Sequence, residues 1–200
     1  LVWIKEFLPK NAIIFDIGAN VGTFLYQLEN KLDHEQIYAF EPNKKLYRRL
    51  KRLFPGMRVF PLALSDENTT AEFKVPVISG KTVASRGTLN TSYKEKGEER
   101  SYTEKVKVIR LDDWAAIEHF NRLDFIKIDV EGAEEFVLKG ATDLLQRKKP
   151  FLMIEVHSPA IGERCLDILK KYYPTITVLE TGLTPDKGTP EICHYLAHHS

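Results

Sequence analysis

The sequence predicts one α/β domain built on a mostly parallel sheet, and three observations carry that expectation. Short apolar runs of strand length alternate with segments whose apolar residues recur at helical spacing. A glycine-rich turn, Gly18-Ala19-Asn20-Val21-Gly22, joins the first strand to the first helix. Near the end of the chain two strand-like runs follow one another without room for a helix, so an antiparallel hairpin should close the sheet. The 200 residues suffice for one domain with a proper core, not two.

Residues 11–17 (NAIIFDI) read as a buried strand with a carboxylate near its end, and 23–32 carry helical spacing. A second strand over 36–40 stops at Glu41-Pro42; Asn43 then caps a helix to Phe54, which Pro55-Gly56 end. Residues 57–64 read as a third strand, and the β-α-β-α-β rhythm implies parallel pairing with right-handed crossovers. The rhythm then breaks. Strands over 71–75 and 104–111 form a hairpin insertion around residues 76–103, whose Ser, Thr, Lys, Glu and Gly predict a variable lid over the substrate. A helix from Asp112-Asp113 to Phe120 follows, then a strand over 123–129 and a helix over 134–146, broken at Gly140 and capped afresh by Thr142. A strand over 151–157, a helix over 161–172 and strands over 175–179 and 192–197 complete a seven-stranded sheet. Trp3 and Phe7 point to an N-terminal helix packed on that sheet.

Composition narrows the class. With 43% hydrophobic and 28% charged residues and no low-complexity tract, disorder is excluded as the dominant state. Twenty-nine basic against 28 acidic residues leave a charge of +1, which argues against a nucleic-acid coat protein or a polybasic membrane binder. The basic face of Lys44, Lys45, Arg48, Arg49, Lys51 and Arg52 reads as a solvated helix surface, not an RNA site. The longest apolar runs, 12–15 and 151–154, fall far short of the ~18 residues a membrane span requires. Cys165 and Cys193 lack metal-site spacing and read as reduced, buried thiols, so a cytoplasmic location is expected. The chain opens on Leu1 instead of Met, which leaves a preceding segment open.

The sharpest chemical signal is Asp16-x-Gly18-x-Asn20-x-Gly22 between strand and helix, with Glu41 ending the next strand. In open α/β sheets ligands sit outside the carboxyl ends of the strands, and a carboxylate there suits the two hydroxyls of a ribose. A dinucleotide would want G-x-G-x-x-G for its pyrophosphate; here Asn stands where the middle glycine would help, and Asp16 would repel an anion. S-adenosylmethionine, with an ammonium, a sulfonium and no phosphate, fits better than NAD. Two rival readings stay open: a NAD-dependent oxidoreductase, and a nucleoside-cofactor-binding module without chemistry.

With DIGANVGTF (16–24), FEP (40–42), LDDW (111–114), DFIKIDVEGAEEFVLKGA (124–141) and MIEVH (153–157) in this order, the chain resembles the FkbM family of S-adenosylmethionine-dependent methyltransferases. The resemblance covers about residues 11–157, and KIDVEGAE is its most characteristic block. It implies a class I (Rossmann-like) methyltransferase fold and O-methylation of a sugar or small-metabolite hydroxyl, with the acceptor and the oligomeric state unspecified. Carried over by motif, Asp16, Gly18, Ala19, Asn20 and Gly22 line the cofactor loop, and Glu41 with Pro42 holds the ribose. Ser65 and Asp66 fall near the adenine, and Asp129 also belongs to the cofactor site.

A second constellation, Asp129, Glu131 and His157, lies at the carboxyl ends of two strands expected to be neighbours. An alcohol acceptor needs a base within about 3 Å, and His157, with an ordinary pKa near 6.5, is the candidate general base. The same three side chains are possible metal ligands, but at spread spacing, so metal-free catalysis is expected. Asp112 and Asp113 read as helix caps, and His194, His198 and His199 as surface histidines. Lys127, a cation inside the most apolar strand, must find a carboxylate; strand alternation makes Glu155 its first expected partner and Asp16 its second.

Overall fold

The computed structural model describes residues 8–92, 94, 96–118, 121–185 and 192–199, so the expected helix at Trp3 and Phe7 lies outside the described residues. In chain order, β1 (Ile14–Ile17), α1 (Thr23–Leu28), β2 (Ile37–Phe40), α2 (Lys44–Leu53) and β3 (Arg58–Phe60) form the expected β-α-β-α-β run. The insertion follows as β4 (Leu62–Ser65), β5 (Thr69–Ile78), β6 (Lys81–Thr82) and β7 (Glu98–Arg110). Then come α3 (Leu111–Glu118), β8 (Phe125–Ile128), α4 (Glu134–Lys139), α5 (Thr142–Lys148), β9 (Phe151–Val156), α6 (Pro159–Leu169), β10 (Thr175–Val178) and β11 (Cys193–His198).

Among the described residues the main sheet has seven strands in the order β10-β11-β9-β8-β1-β2-β3, with β11 antiparallel to both of its neighbours. Alternation sorts side chains to its two faces. Phe15, Ile17, Phe40 and Ile128 join a core with residues of α3, α4, α5 and α6, whereas Ile14, Ile37 and Phe125 pack with α1 and Leu50 of α2. The helix α2 forms because the Asn43 side chain accepts the N–H groups of Lys45 and Leu46 at its start. Leu46 and Leu50 turn inward while its lysines and arginines largely stay outside.

The expected third strand, 57–64, proves to be two. Pro61 has no N–H to donate to a ladder, so the chain leaves the main sheet there. The following strand, β4, opens a second sheet, β4-β7-β5-β6, with its own small core of Ala63, Phe73, Val75, Val106 and Val108. This corrects the expected lid over 76–103. Residues 76–78 and 98–103 belong to the hairpin, Val77 is buried, and Lys74 and Glu98 form a buried ion pair at 2.9 Å. Much of β7 is exposed, so its polar composition hid a strand. Within the remainder, β6 pairs with β5 and Thr88 bridges Lys74.

The helix expected over 134–146 breaks at Gly140, where a Cβ would overlap the Ser65 carbonyl oxygen. Thr142 does not cap its successor. Asp112 does so from another helix, accepting the N–H groups of Asp143 (3.1 Å) and Leu144 (2.9 Å). Asp113 instead accepts from the Asn68 side chain. Asp112→Ala should therefore destabilise the fold by about 1–2 kcal/mol, the usual worth of a cap. Asp113→Ala should stay within about 0.5 kcal/mol. Urea denaturation of both variants checks the contrast.

Candidate active site

The crossovers leave β1 toward β2 and β3, but leave β8 toward β9. The crevice between the carboxyl ends of β1 and β8 is therefore the topological switch point of the sheet. Gly18 sits there at φ 80°, so close to the Asp129 carbonyl oxygen that any Cβ would overlap it. The N–H groups of Gly18 and Ala19 both donate to the Phe40 carbonyl at 3.0 Å, which fixes the turn against β2. Glu41 accepts the backbone N–H groups of Asn20 and Asn43, each at 2.8 Å. Asn20 also donates its side-chain amide to the Ser85 carbonyl (2.8 Å), so the 79–97 segment lies across the turn.

A cleft opens between these elements. Phe40, Leu64, Ala133 and Leu89 give it an apolar slot, while Glu41, Asp129 and Glu131 give it carboxylates. Burial pushes Glu41 up to about 7, against the two N–H bonds it accepts.

Beneath the cleft, register places Asp16 beside Lys127 on adjacent parallel strands. The Lys127 ammonium lies 3.4 Å from Asp16 and 3.1 Å from Asp129. Burial raises the Asp16 carboxyl against the pull of Lys127; burial also opposes the Lys127 charge, but the two carboxylates hold its pKa above the ordinary range. The expected first partner, Glu155, is not the contact. Register pairs Lys127 with Met153, so Glu155 projects further toward the carboxyl end. Glu155 meets its own register partner, His194 of β11, at 3.3 Å. That hydrogen bond, against the burial of the group, lowers the Glu155 pKa. His194 also bonds Glu180 at 2.6 Å, which corrects its reading as a surface histidine.

His157 stands among acids. Its Nδ1 donates to the fully buried Glu134 at 2.9 Å, and its Nε2 lies 3.2 Å from Glu131, 3.7 Å from Glu155 and 3.9 Å from Asp129. Burial disfavours its charge, but the Glu134 bond and the surrounding carboxylates outweigh it and lift the imidazole up to about 9. At neutral pH His157 is thus an imidazolium held by carboxylates, with no lone pair free to take a proton.

Of the residues singled out in the sequence, Gly18, Asn20, Glu41, Pro42, Asp129 and Glu131 line the cleft. Asp16 is buried below it, Ala19 is buried in the turn, and Gly22 faces Leu50 and Phe54 of the next helical segment. Ser65 and Asp66 line an adjoining cleft that shares Leu89 and Ala133 with the first. Sequence reasoning missed Glu134 and the roles of Glu155, His194 and Ser85. Alternation with His157 could have found Glu155, but the others depend on register and loop closure.

Residues 16–198 match the family described as the methyltransferase FkbM domain. The chain belongs to the FkbM methyltransferase family. Among curated relatives, this FkbM domain is 30% identical over 158 residues to the hexuronic acid methyltransferase AglP of Haloferax volcanii, covering 78% of this chain and 60% of AglP. It is 27% identical over 158 residues to the 2-O-methyltransferase NoeI of Sinorhizobium fredii, covering 73% of this chain and 64% of NoeI. The chain thus spans about three fifths of both relatives. A methyltransferase FkbM structure from Methylobacillus flagellatus superposes with a TM-score of 0.61 at 19% identity, over 96% of this chain and 45% of that one. These agree with the class I methyltransferase fold. No helix among the described residues is long and apolar enough to cross a membrane.

Two outcomes are expected. Lys127→Met strands two carboxylates and should cost about 3–5 kcal/mol. Adding Asp16→Asn should recover part of that loss, whereas adding Glu155→Gln should not, as urea titration of the three variants will show. Glu41, with its native pKa raised from 4.5 to about 7, keeps a proton in the native state that the unfolded chain releases. Its contribution to stability therefore falls as pH rises from 4.5 to 7, by about 3 kcal/mol in all. The difference in unfolding free energy between the native sequence and Glu41→Gln, measured at pH 5 and 7.5, should change in that direction.

Proposed function

We propose that the cleft binds S-adenosylmethionine and that the FkbM domain transfers its methyl group to a hydroxyl of a sugar or small metabolite. Glu41, just past the end of β2, carries this reading: it is a nearly buried carboxylate beside an apolar slot, a pairing suited to a ribose next to an adenine. Asp129 and Glu131 add negative charge where a sulfonium and an ammonium would lie, and where a pyrophosphate would be repelled. A hydroxyl acceptor is supported by the names of the two relatives, one acting on a hexuronic acid and one at a 2-O position.

Transfer is an in-line displacement, so the site's main task is alignment. The carbon–sulfur bond breaks as the oxygen–carbon bond forms; sulfur keeps the electron pair, and the hydroxyl releases a proton. His157, the base that the sequence points to, already holds its proton against its acids. In this reading Glu131 accepts the hydroxyl proton, and His157, 3.2 Å away, orients its carboxylate.

Calorimetry with S-adenosylmethionine and with NAD tests the cofactor: the first should bind and the second should not. Glu41→Ala removes charge-assisted bonds worth ~1.5–3 kcal/mol each, so affinity should fall more than tenfold. Labelled methyl should appear on at least one alcohol in a panel of sugars and uronic acids. Binding without transfer to any acceptor leaves a cofactor-binding module, and preference for NAD overturns the reading.

A further inference from the structure

Among the described residues, a group of metal-ligating side chains lies where β8 and β9 end, at the edge of the cofactor cleft that Asp129 lines. One oxygen each from Asp129 and Glu155 and one ring nitrogen of His157 all lie within 4.8 Å of one another. That is the spread of donors around one small cation with bonds of roughly 2.0–2.4 Å. We propose that Asp129, Glu155 and the Nε2 of His157 bind one divalent cation of the Mg²⁺/Mn²⁺ class.

Three further observations point the same way. First, each donor is oriented from behind, as metal ligands are. Buried Glu134 holds the far side of the His157 ring at 2.9 Å, which leaves Nε2 facing the acids. His194, itself anchored on Glu180 at 2.6 Å, holds one Glu155 oxygen at 3.3 Å and leaves the other toward His157. Lys127 holds one Asp129 oxygen at 3.1 Å and leaves the other toward Nε2.

Second, the arrangement exceeds what an ion pair needs. Three carboxylates, those of Glu131, Glu155 and Asp129, converge on one imidazole nitrogen at 3.2, 3.7 and 3.9 Å. A dication at that point can bind several of the oxygens at once, which a lone ion pair does not require. Third, the donor set is mostly carboxylate with one imidazole and no thiolate. Hard oxygen donors select Mg²⁺ or Mn²⁺ over softer metals. The cation's role rests on the function proposed above: beside the cofactor slot it would hold the acceptor oxygen and make its proton easier to lose.

The test uses Mn²⁺ as a spectroscopic probe on the chelator-stripped 200-residue chain. Paramagnetic titration should show one Mn²⁺ per chain, displaced by excess Mg²⁺. Glu155→Gln and His157→Gln should each weaken it more than tenfold, with melting curves confirming that both variants fold. Should either fail to fold, His194→Gln, which only loosens Glu155, should weaken Mn²⁺ severalfold. Absence of stoichiometric Mn²⁺, or affinity unchanged in the folded variants, overturns the site. Calorimetry of S-adenosylmethionine in the presence of chelator separates this from the cofactor reading. Cofactor binding with no Mn²⁺ site means that the acids serve the cofactor's own ammonium, and the metal proposal fails. Mn²⁺ binding without cofactor binding upholds the metal site and removes the function proposed for it.

Discussion

The Lys127 ammonium, enclosed between Asp16 and Asp129, is the interaction on which the site depends. A buried cation with no partner would cost several kcal/mol, and so would a fully buried Asp16. Each meets the other because register places them side by side on the two strands that flank the switch point. The pair therefore ties the carboxyl ends of β1 and β8 together where the glycine turn begins. Gly18 can lie against the Asp129 backbone only while those ends stay in register, and the Glu41 carboxylate hangs from the same turn through the Asn20 N–H.

From that floor the charges rise in order toward solvent. Lys127 neutralises the lowest layer, and the layer above it is acid-rich. Glu155 answers to His194 across an antiparallel ladder, and His157 to Glu134 across a loop. The loop reaches that position through two consecutive residues at positive φ, Glu131 (53°) and Gly132 (97°). A non-glycine residue in the left-handed region is held there by its surroundings; here the turn carries the Glu131 carboxylate back to within 3.2 Å of His157. The sheet thus supplies fixed donors and the loops supply the groups that complete them, the usual division in open α/β folds.

How far the sequence could be read follows from the range of each interaction. The turn residues Asp16, Gly18, Asn20 and the strand-end Glu41 were legible because a strand, a tight turn and a helix are local events. The parallel order of the main sheet was legible from the same rhythm. Glu155 as the partner of Lys127 was the wrong choice because alternation gives the face of a side chain but not its height along a neighbouring strand. His194 looked like a surface residue because its role needs β11 to run antiparallel to β9. Pro61 marks the split in the sequence, but the apolar run continues across it and masks the break. The polar ends of the hairpin read as loop because a ribbon projecting from a sheet exposes much of both faces, so its alternation is weak.

The hairpin limits how the cleft can open. A free segment over 76–103 would move as a whole, but the hairpin pins both of its ends. The Lys74–Glu98 pair is almost wholly buried, Val75 packs into the second core, and Val77 is buried beside it in β5. Moving that ribbon would expose a paired charge and its apolar neighbours, a cost set by burial and not by loop entropy. Further along, Lys81–Thr82 pair with β5 and Thr88 bridges Lys74, and the tie of this part of the chain to the glycine turn is the bond from Asn20 to Ser85. The same Asn20 gives its backbone N–H to Glu41. One residue therefore touches both the carboxylate at the base of the cleft, through its backbone, and the Ser85 segment across its mouth, through its side chain, so a shift at either reaches the other through Asn20.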